Sequence, residues 1–428
     1  MSCHRDQPEA PAWLNDEFFR DVMRESNNDS SIELTSACIL RPGTSKKDHY
    51  GSVMFRTTVT YQSKRLAEEK FVDIIMKTKP EADGLMKDLL DDDGLFVVEI
   101  EMYSKVLPEV TRLLKEIGEE YKYPRYIYGT LKPHTILILE DISGQGWVEG
   151  DLINTLDDMK PIVKNVAMLH AASVILESLD TTVLTKFRHT MAHKFLGLEG
   201  LVRKGFGDLM QFTELYPEFA QFAKPLVKFQ QNLRDFFDSI FKPTKSIQSV
   251  LIHGDCHTKN LLHQLDAHGR HTETILLDYQ ICCWTSPAID LYYMLDLIPT
   301  QEIKDNYRSE LVYLYHQQYS NLLKRLGFTR NIPSLQDLNI ELIRCAGLGG
   351  YNSHARFSQN NKIMIHYFLE LFHYAAFMSY RFMDQCAIDV EAILKGELEH
   401  PVTKNEEYKK IMHTELTRLL HQGTLTND

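Results

Sequence analysis

The sequence predicts an α+β fold of two lobes, a small antiparallel sheet followed by a larger, mostly helical body. Three observations carry that expectation. Apolar and polar residues alternate with a period of two in short stretches of the first 142 residues. From about position 150 onward the dominant period is helical. Two short apolar runs, 249–253 and 274–277, interrupt those helices, and each leads directly into polar residues. The expected boundaries are a loose tail over 1–12, a first lobe over 13–141 and a second lobe over 142–428.

In chain order, 13–24 reads as a short helix, with Leu14, Phe18, Val22 and Met23 on one face. The stretch 33–41 is apolar enough for a strand, and 42–51 is a polar, turn-rich loop. At 52–61, Val53, Phe55, Thr57 and Val59 share the face of a half-buried strand. A third strand, 70–77, ends on Lys77, so strand, loop, strand, turn, strand suggests a meander. An Asp- and Lys-rich linker runs to Asp93. Helix 96–107 comes next, with Pro108 expected to break or bend it, and then strands at 124–129 and 135–140. Beyond these, helical periodicity marks 157–176, 187–204, 216–241, 301–326, 335–344, 362–383 and 405–421.

Composition narrows the function. Of 428 residues, 43% are hydrophobic and 25% charged, which excludes a disordered, collagen-like or disulfide-scaffold chain. Lys and Arg number 47 against 59 Asp and Glu, a net charge of −12. Such a balance argues against non-specific binding to nucleic acid or anionic membranes and still allows a local basic cleft for phosphates. The cysteines are seven, an odd number, with no Cys-x-x-Cys, and Cys282 and Cys283 are neighbours. Free thiols in a reducing compartment are expected. The first residues are polar, with no signal-peptide core, and no apolar run approaches a membrane span. The chain is expected in the cytoplasm, as a monomer, with neither nucleic acid nor membrane as partner.

The strongest chemical signal is V-L-I-H-G-D-C-H-T-K-N at 250–260, followed by I-L-L-D-Y-Q at 275–280. An apolar strand runs into His253, Gly254 and Asp255; Asn260 stands five positions after the aspartate, and a second strand ends in Asp278. This is the layout of a phosphotransferase. An acceptor hydroxyl is a poor nucleophile, and the Asp255 carboxylate can orient it and accept its proton. ATP arrives with Mg2+, a hard cation that prefers oxygen ligands, and Asn260 and Asp278 offer an amide oxygen and a carboxylate. A lone His-Gly-Asp would fit a capped turn equally well. Asn260, Asp278 and the flanking strands decide for a site.

His-Gly-Asp in place of His-Arg-Asp resembles the choline and aminoglycoside kinase branch of the protein-kinase-like fold. L-D-Y-Q at 277–280 followed by W-T-S-P-A-I-D-L at 284–291 resembles, more narrowly, the insect ecdysteroid kinase-like family. So do L-H-A-A-S at 169–173 and the run from Glu99 to Pro108, and the likeness extends over about 13–420. The resemblance implies the rest of the machinery. Lys77, at its strand end, stands where such a fold needs a lysine for the ATP phosphates. Its partner is a helix glutamate. Glu99 and Glu101 point about 200° apart, and Glu99, three residues after Phe96, matches the family pattern. The phosphate-covering loop corresponds to K-D-H-Y-G-S at 47–52, with lysine where glycine is usual and His49 for asparagine; Gly51 and Ser52 remain to supply amides and a hydroxyl. Glu140 and Ile142 fall in the stretch matching a hinge whose backbone binds adenine. Asp290 matches an aspartate that braces the catalytic loop.

Other residues carry bland readings. His170 is a satisfied core histidine, and His253 orients its loop. His257, His263, His268 and His271 lack zinc spacing. Cys256 packs, and the aromatic run 367–380 is helical core that leaves room for an apolar pocket. The expected activity is transfer of the ATP γ-phosphate to a hydroxyl of a small molecule, which the resemblance narrows to an ecdysteroid or other steroid-like or xenobiotic alcohol. The alternatives are a choline or aminoglycoside type of acceptor, and a catalytically silent ligand-binding pseudokinase.

Overall fold

A computed structural model describes residues 10–43, 53–79, 94–188 and 247–347, with scattered positions between 213 and 241. The loop residues Gly51 and Ser52, most of the helices expected at 187–204 and 216–241, those at 362–383 and 405–421, and the aromatic run 367–380 lie outside the described residues.

The content is mixed α and β. Helix α1 (Asp16–Ser26) starts at Asn15, whose side chain accepts from the Phe18 N–H, and buries Phe19, Val22 and Met23. Six strands form one antiparallel sheet: β1 (Glu33–Leu34), β2 (Arg41–Pro42), β3 (Val53–Gln62), β4 (Lys70–Thr78), β5 (Tyr126–Thr130) and β6 (Ile136–Glu140). The expected strand at 33–41 is two short pieces, both paired with β3. Between them the Cys38 N–H is held by the Asp16 carboxylate at 2.9 Å rather than by a ladder. The order β1-β3-β4-β6-β5 begins as the expected meander, β1-β3-β4; after it, β6 rather than β5 lies against β4. One face of this sheet packs on α1, through Phe55, Val59, Ile74, Met76 and Ile138. Strand alternation therefore turns Lys77 to the other face, where its register neighbours are Met54 and Leu137.

Between the two hairpins, α2 (Gly94–Glu101) continues through a π turn (Met102–Val106) into α3 (Leu107–Glu116). Pro108 does not break this helix. It occupies the first turn of α3, where its missing N–H matters little, and the wider turn just before it relieves the crowding of its ring. Next come a two-residue strand, β7 (Val148–Glu149), and the 24-residue α4 (Leu156–Leu179). Helix α4 is long and apolar enough to cross a membrane, which corrects the expectation that no run approaches that length. It is buried through most of its length among α3, the strands at 250–252 and 271–276, and α6 (Gln301–Arg325), and a helix buried all round reads like a membrane span.

The remaining strands position the site. β8 (Val250–Ile252) pairs with β11 (Cys283–Thr285), and β9 (Leu261–Leu265) forms a hairpin with β10 (His271–Leu276). α5 (Ala288–Leu297), α6 and α7 (Leu335–Gly347) close the described chain. Helix α5 has no helical signature in the sequence because nearly every one of its residues is buried, aspartates included.

Candidate active site

Lys77 is the meeting point of three elements. Its Nζ lies 2.8 Å from Glu99 Oε2 on α2 and 2.5 Å from Asp278 Oδ1, just beyond β10. Gln280 Oε1 accepts at 3.4 Å, and Gln280 Nε2 donates to Asp278 Oδ2 at 3.1 Å. The sequence separations are 22 and 201 residues, so only the folded chain makes this cluster. Glu99 is a buried carboxyl, whereas Glu101 points away to Lys105 and Lys186, each at 2.9 Å. The helix thus separates the two glutamates as its pitch requires. Burial works against the Lys77 ammonium, but Asp278 and Glu99 outweigh it and its pKa is raised. Burial also pushes Glu99 up; Lys77 pulls it back only in part, and the nearby Asp278 carboxylate pushes the same way as burial.

The second cluster is built on backbone. β8 delivers His253, Gly254 and Asp255, a 3₁₀ turn (Thr258–Asn260) comes next, and β9 and β10 carry the chain from Asn260 to Asp278. Asp290, at the start of α5, accepts from the N–H groups of His253 at 2.6 Å and Gly254 at 2.8 Å. It also meets His170 Nε2 at 3.0 Å, and His170 Nδ1 meets the Tyr315 hydroxyl at 2.8 Å. Three helices therefore converge on one loop, and His170 is part of its support. Burial pushes Asp290 up, but His170, His253 and the Gly254 N–H hold its pKa below the ordinary value. Gly254 has φ +84°, and a Cβ there would lie 2.7 Å from the Ile281 carbonyl, so the position needs glycine. His253 Nε2 donates to the Leu277 carbonyl at 2.8 Å, and the Leu277 N–H donates to the Asn260 carbonyl at 2.9 Å. These bonds tie the Asp255 loop to the residue before Asp278.

Asn260 Nδ2 donates to the Asp255 main-chain oxygen at 2.9 Å and to Oδ2 at 3.1 Å, which leaves the amide oxygen as the end available to a cation. Burial raises the pKa of Asp255, but His257, His253 and Asn260 lower it by more, so the carboxylate stays ionised. Burial lowers the pKa of His257, and the charge of Asp255 more than restores it. Among the described residues no group of three His, Cys, Asp or Glu is arranged to hold a metal. One carboxylate and one amide oxygen nonetheless suit Mg2+, which keeps several waters and takes its remaining ligands from substrate phosphates.

Glu140 is the last residue of β6, and Ile142 stands two residues beyond it. The Glu140 N–H donates to the Arg125 carbonyl at 2.9 Å, and its carboxylate takes Arg125 at 3.0 Å and Gln145 at 3.1 Å. The Ile142 N–H has no partner among the described residues, while its carbonyl accepts from Gln145. His263 and His271 stack at 4.2 Å across the β9–β10 hairpin. Cys256 is buried, and burial raises its thiol well above the ordinary range. Sequence reasoning does not single out Gln280 or His257 as site residues; their only signal is closeness to Asp278 and Asp255.

A lysine paired with a helix glutamate, set against an aspartate–asparagine–aspartate series, is the working equipment of a kinase-like phosphotransferase. The chain matches the model of the ecdysteroid kinase-like family over residues 46–328, which is two thirds of its length, and it belongs to that family. Membership implies a kinase-like fold and points to a small-molecule phosphotransferase that uses ATP. The match is narrower than the 13–420 over which the motifs suggest likeness. No curated protein matches the chain.

Proposed function

We propose that the protein moves the γ-phosphate of ATP to a hydroxyl of a small molecule, an ecdysteroid or another steroid-like or xenobiotic alcohol, as a monomer in the cytoplasm. The observation that carries this reading is the joining of Lys77, Glu99 and Asp278 by contacts of 2.8 and 2.5 Å. In this reading the lobe 13–141 covers the nucleotide, and the lobe 142–428 supplies the catalytic loop and the acceptor pocket. Lys77 turns from Asp278 to the phosphates and stays paired with Glu99. Asn260 and Asp278 hold magnesium, which when bound neutralises the charge that builds on the phosphates. The Glu140 carbonyl and the Ile142 N–H receive adenine; Gly51 and Ser52 close over the phosphates. Asp255 orients the hydroxyl and takes its proton as the new O–P bond forms and the bond to ADP breaks.

A small acceptor is supported by the short connection after Asp278. The chain passes within five residues into β11 and then α5, which leaves no long segment to present a protein substrate. A reducing compartment is supported by free thiols at all five described cysteines. The test is transfer of labelled γ-phosphate to a panel of ecdysteroids, other steroid alcohols, choline and an aminoglycoside. Label on a steroid-like alcohol, lost in Asp255→Asn, is expected. Label on choline or the aminoglycoside alone would overturn the acceptor class. No label on any acceptor, with ATP still bound, would point to a silent binder.

A further inference from the structure

We propose that His257 is a positioning residue for Asp255: its Nε2 stands 3.5 Å from Asp255 Oδ2 and donates to that oxygen in the loaded enzyme, so that Oδ1 is the oxygen left to face the acceptor hydroxyl. The contact is a matter of geometry; the meaning given to Oδ1 rests on the phosphotransfer reading above.

His257 caps the 3₁₀ turn, and its Nδ1 accepts from the Lys259 N–H at 3.2 Å. A ring nitrogen that accepts a main-chain N–H carries no proton, so the neutral ring holds its proton on Nε2. That nitrogen lies 3.5 Å from Asp255 Oδ2. Asn260 Nδ2 reaches the same Oδ2 and the Asp255 main-chain oxygen, which accounts for both of its hydrogens. Its 3.3 Å approach to His257 Nε2 is therefore that of two donors converging on one oxygen. No described residue donates to Oδ1. Two donors on Oδ2 draw charge to that side, fix the plane of the carboxylate and leave one oxygen free to take a proton. The separation of 3.5 Å is longer than a formed hydrogen bond, as is common for catalytic contacts that close only in the loaded complex. The side chains of His257 and Asp255 are both partly exposed, 28% and 25%. Phosphotransfer does not by itself require a histidine here; Asp255, Asn260 and Asp278 complete the proton and metal chemistry.

The test uses the full chain without an alcohol, so that water is the acceptor: its oxygen bonds to the γ-phosphorus, ADP leaves and Asp255 takes the proton. ATP hydrolysis and ATP affinity are compared for the wild type, Asp255→Asn, His257→Phe and His257→Gln. In parallel, ¹⁵N spectra of the histidine rings at pH 8.5 report which nitrogen of His257 is protonated. His257→Phe should slow turnover roughly 10- to 100-fold, the usual cost of removing a group that orients a reacting one, while ATP affinity changes by less than about twofold. His257→Gln keeps an N–H donor of similar reach and should recover much of that loss. The spectra should show an Nε2-protonated ring whose N–H signal shifts in Asp255→Asn. Unchanged turnover in His257→Phe, or a ring protonated on Nδ1, would overturn the proposal. A wild type that neither hydrolyses ATP nor labels any alcohol of the panel, but shows the Asp255-sensitive Nε2–H signal, would uphold the contact and count against the phosphotransfer reading instead.

Discussion

Lys77 and Asp255 reach the site from different elements and are secured in different ways. Lys77, on its strand, is held by side chains, chiefly two carboxylates that share its charge, from a helix and a hairpin end. Asp255 stands on a loop whose main-chain N–H groups are fixed by Asp290, itself gripped by His170 from another helix. Charges that depend on one another can re-pair when a phosphate enters. Main-chain hydrogen bonds to a buried carboxylate are indifferent to the ligand. The comparison suggests that the sheet side adapts to the nucleotide while the hairpin side keeps the base where it is.

If that contrast is right, the largest effect on stability comes from the hairpin side. Asp290→Asn sets a side-chain NH2 against main-chain donors and removes the charge that faces His170. It should cost ~3–5 kcal/mol, the usual cost of breaking a buried pair, read as a lower urea midpoint. A loss under about 1 kcal/mol would mean that Asp290 does not brace the loop. Gly254→Ala comes next. It forces a left-handed residue to carry a Cβ against the Ile281 carbonyl and should cost ~1–3 kcal/mol with a fall in turnover. Unchanged stability and turnover would show that the loop yields easily.

The sheet side should answer in the opposite sense. Burial already disfavours the Glu99 charge, so Glu99→Gln should alter stability by less than about 1 kcal/mol. It should nevertheless weaken Mg·ATP binding or turnover roughly tenfold or more, because Lys77 would be left to Asp278 alone. A large stability loss with intact ATP affinity would reverse the comparison. The smallest effect belongs to Lys186→Ala. Its bond to Glu101 is exposed on the lysine side, and its loss should cost under about 1 kcal/mol in the same urea series.

The two sides also differ in how far the sequence discloses them. Asp255, Asn260 and Asp278 are legible because strand, loop and polar residue succeed one another at fixed local spacing. Lys77 and Glu99 are legible only through their place at a strand end and on a helix face, which is why Glu101 competes with Glu99. The brace is less visible. His170 reads as an ordinary core histidine, and α5 escapes detection because a helix buried on every face has no period to find. The π turn that lets the helix continue through Pro108 has no local signature either. Gln280 reaches Lys77 only through packing between segments that the sequence leaves apart, whereas His257 meets residues of its own loop and is hidden only because its spacing carries no motif of its own.

The most direct test of the central claim, that Lys77, Glu99 and Asp278 form a Mg·ATP site, is a thermal-melt series with ATP, with and without Mg2+, on the wild type and Asp278→Asn. At 100 times its dissociation constant a ligand adds about 2.7 kcal/mol, which for a chain of this size should raise the melting point by about 2 °C or more. The account predicts a rise that needs Mg2+ and disappears in Asp278→Asn. No rise at millimolar ATP, or a rise that Asp278→Asn leaves intact, would contradict it.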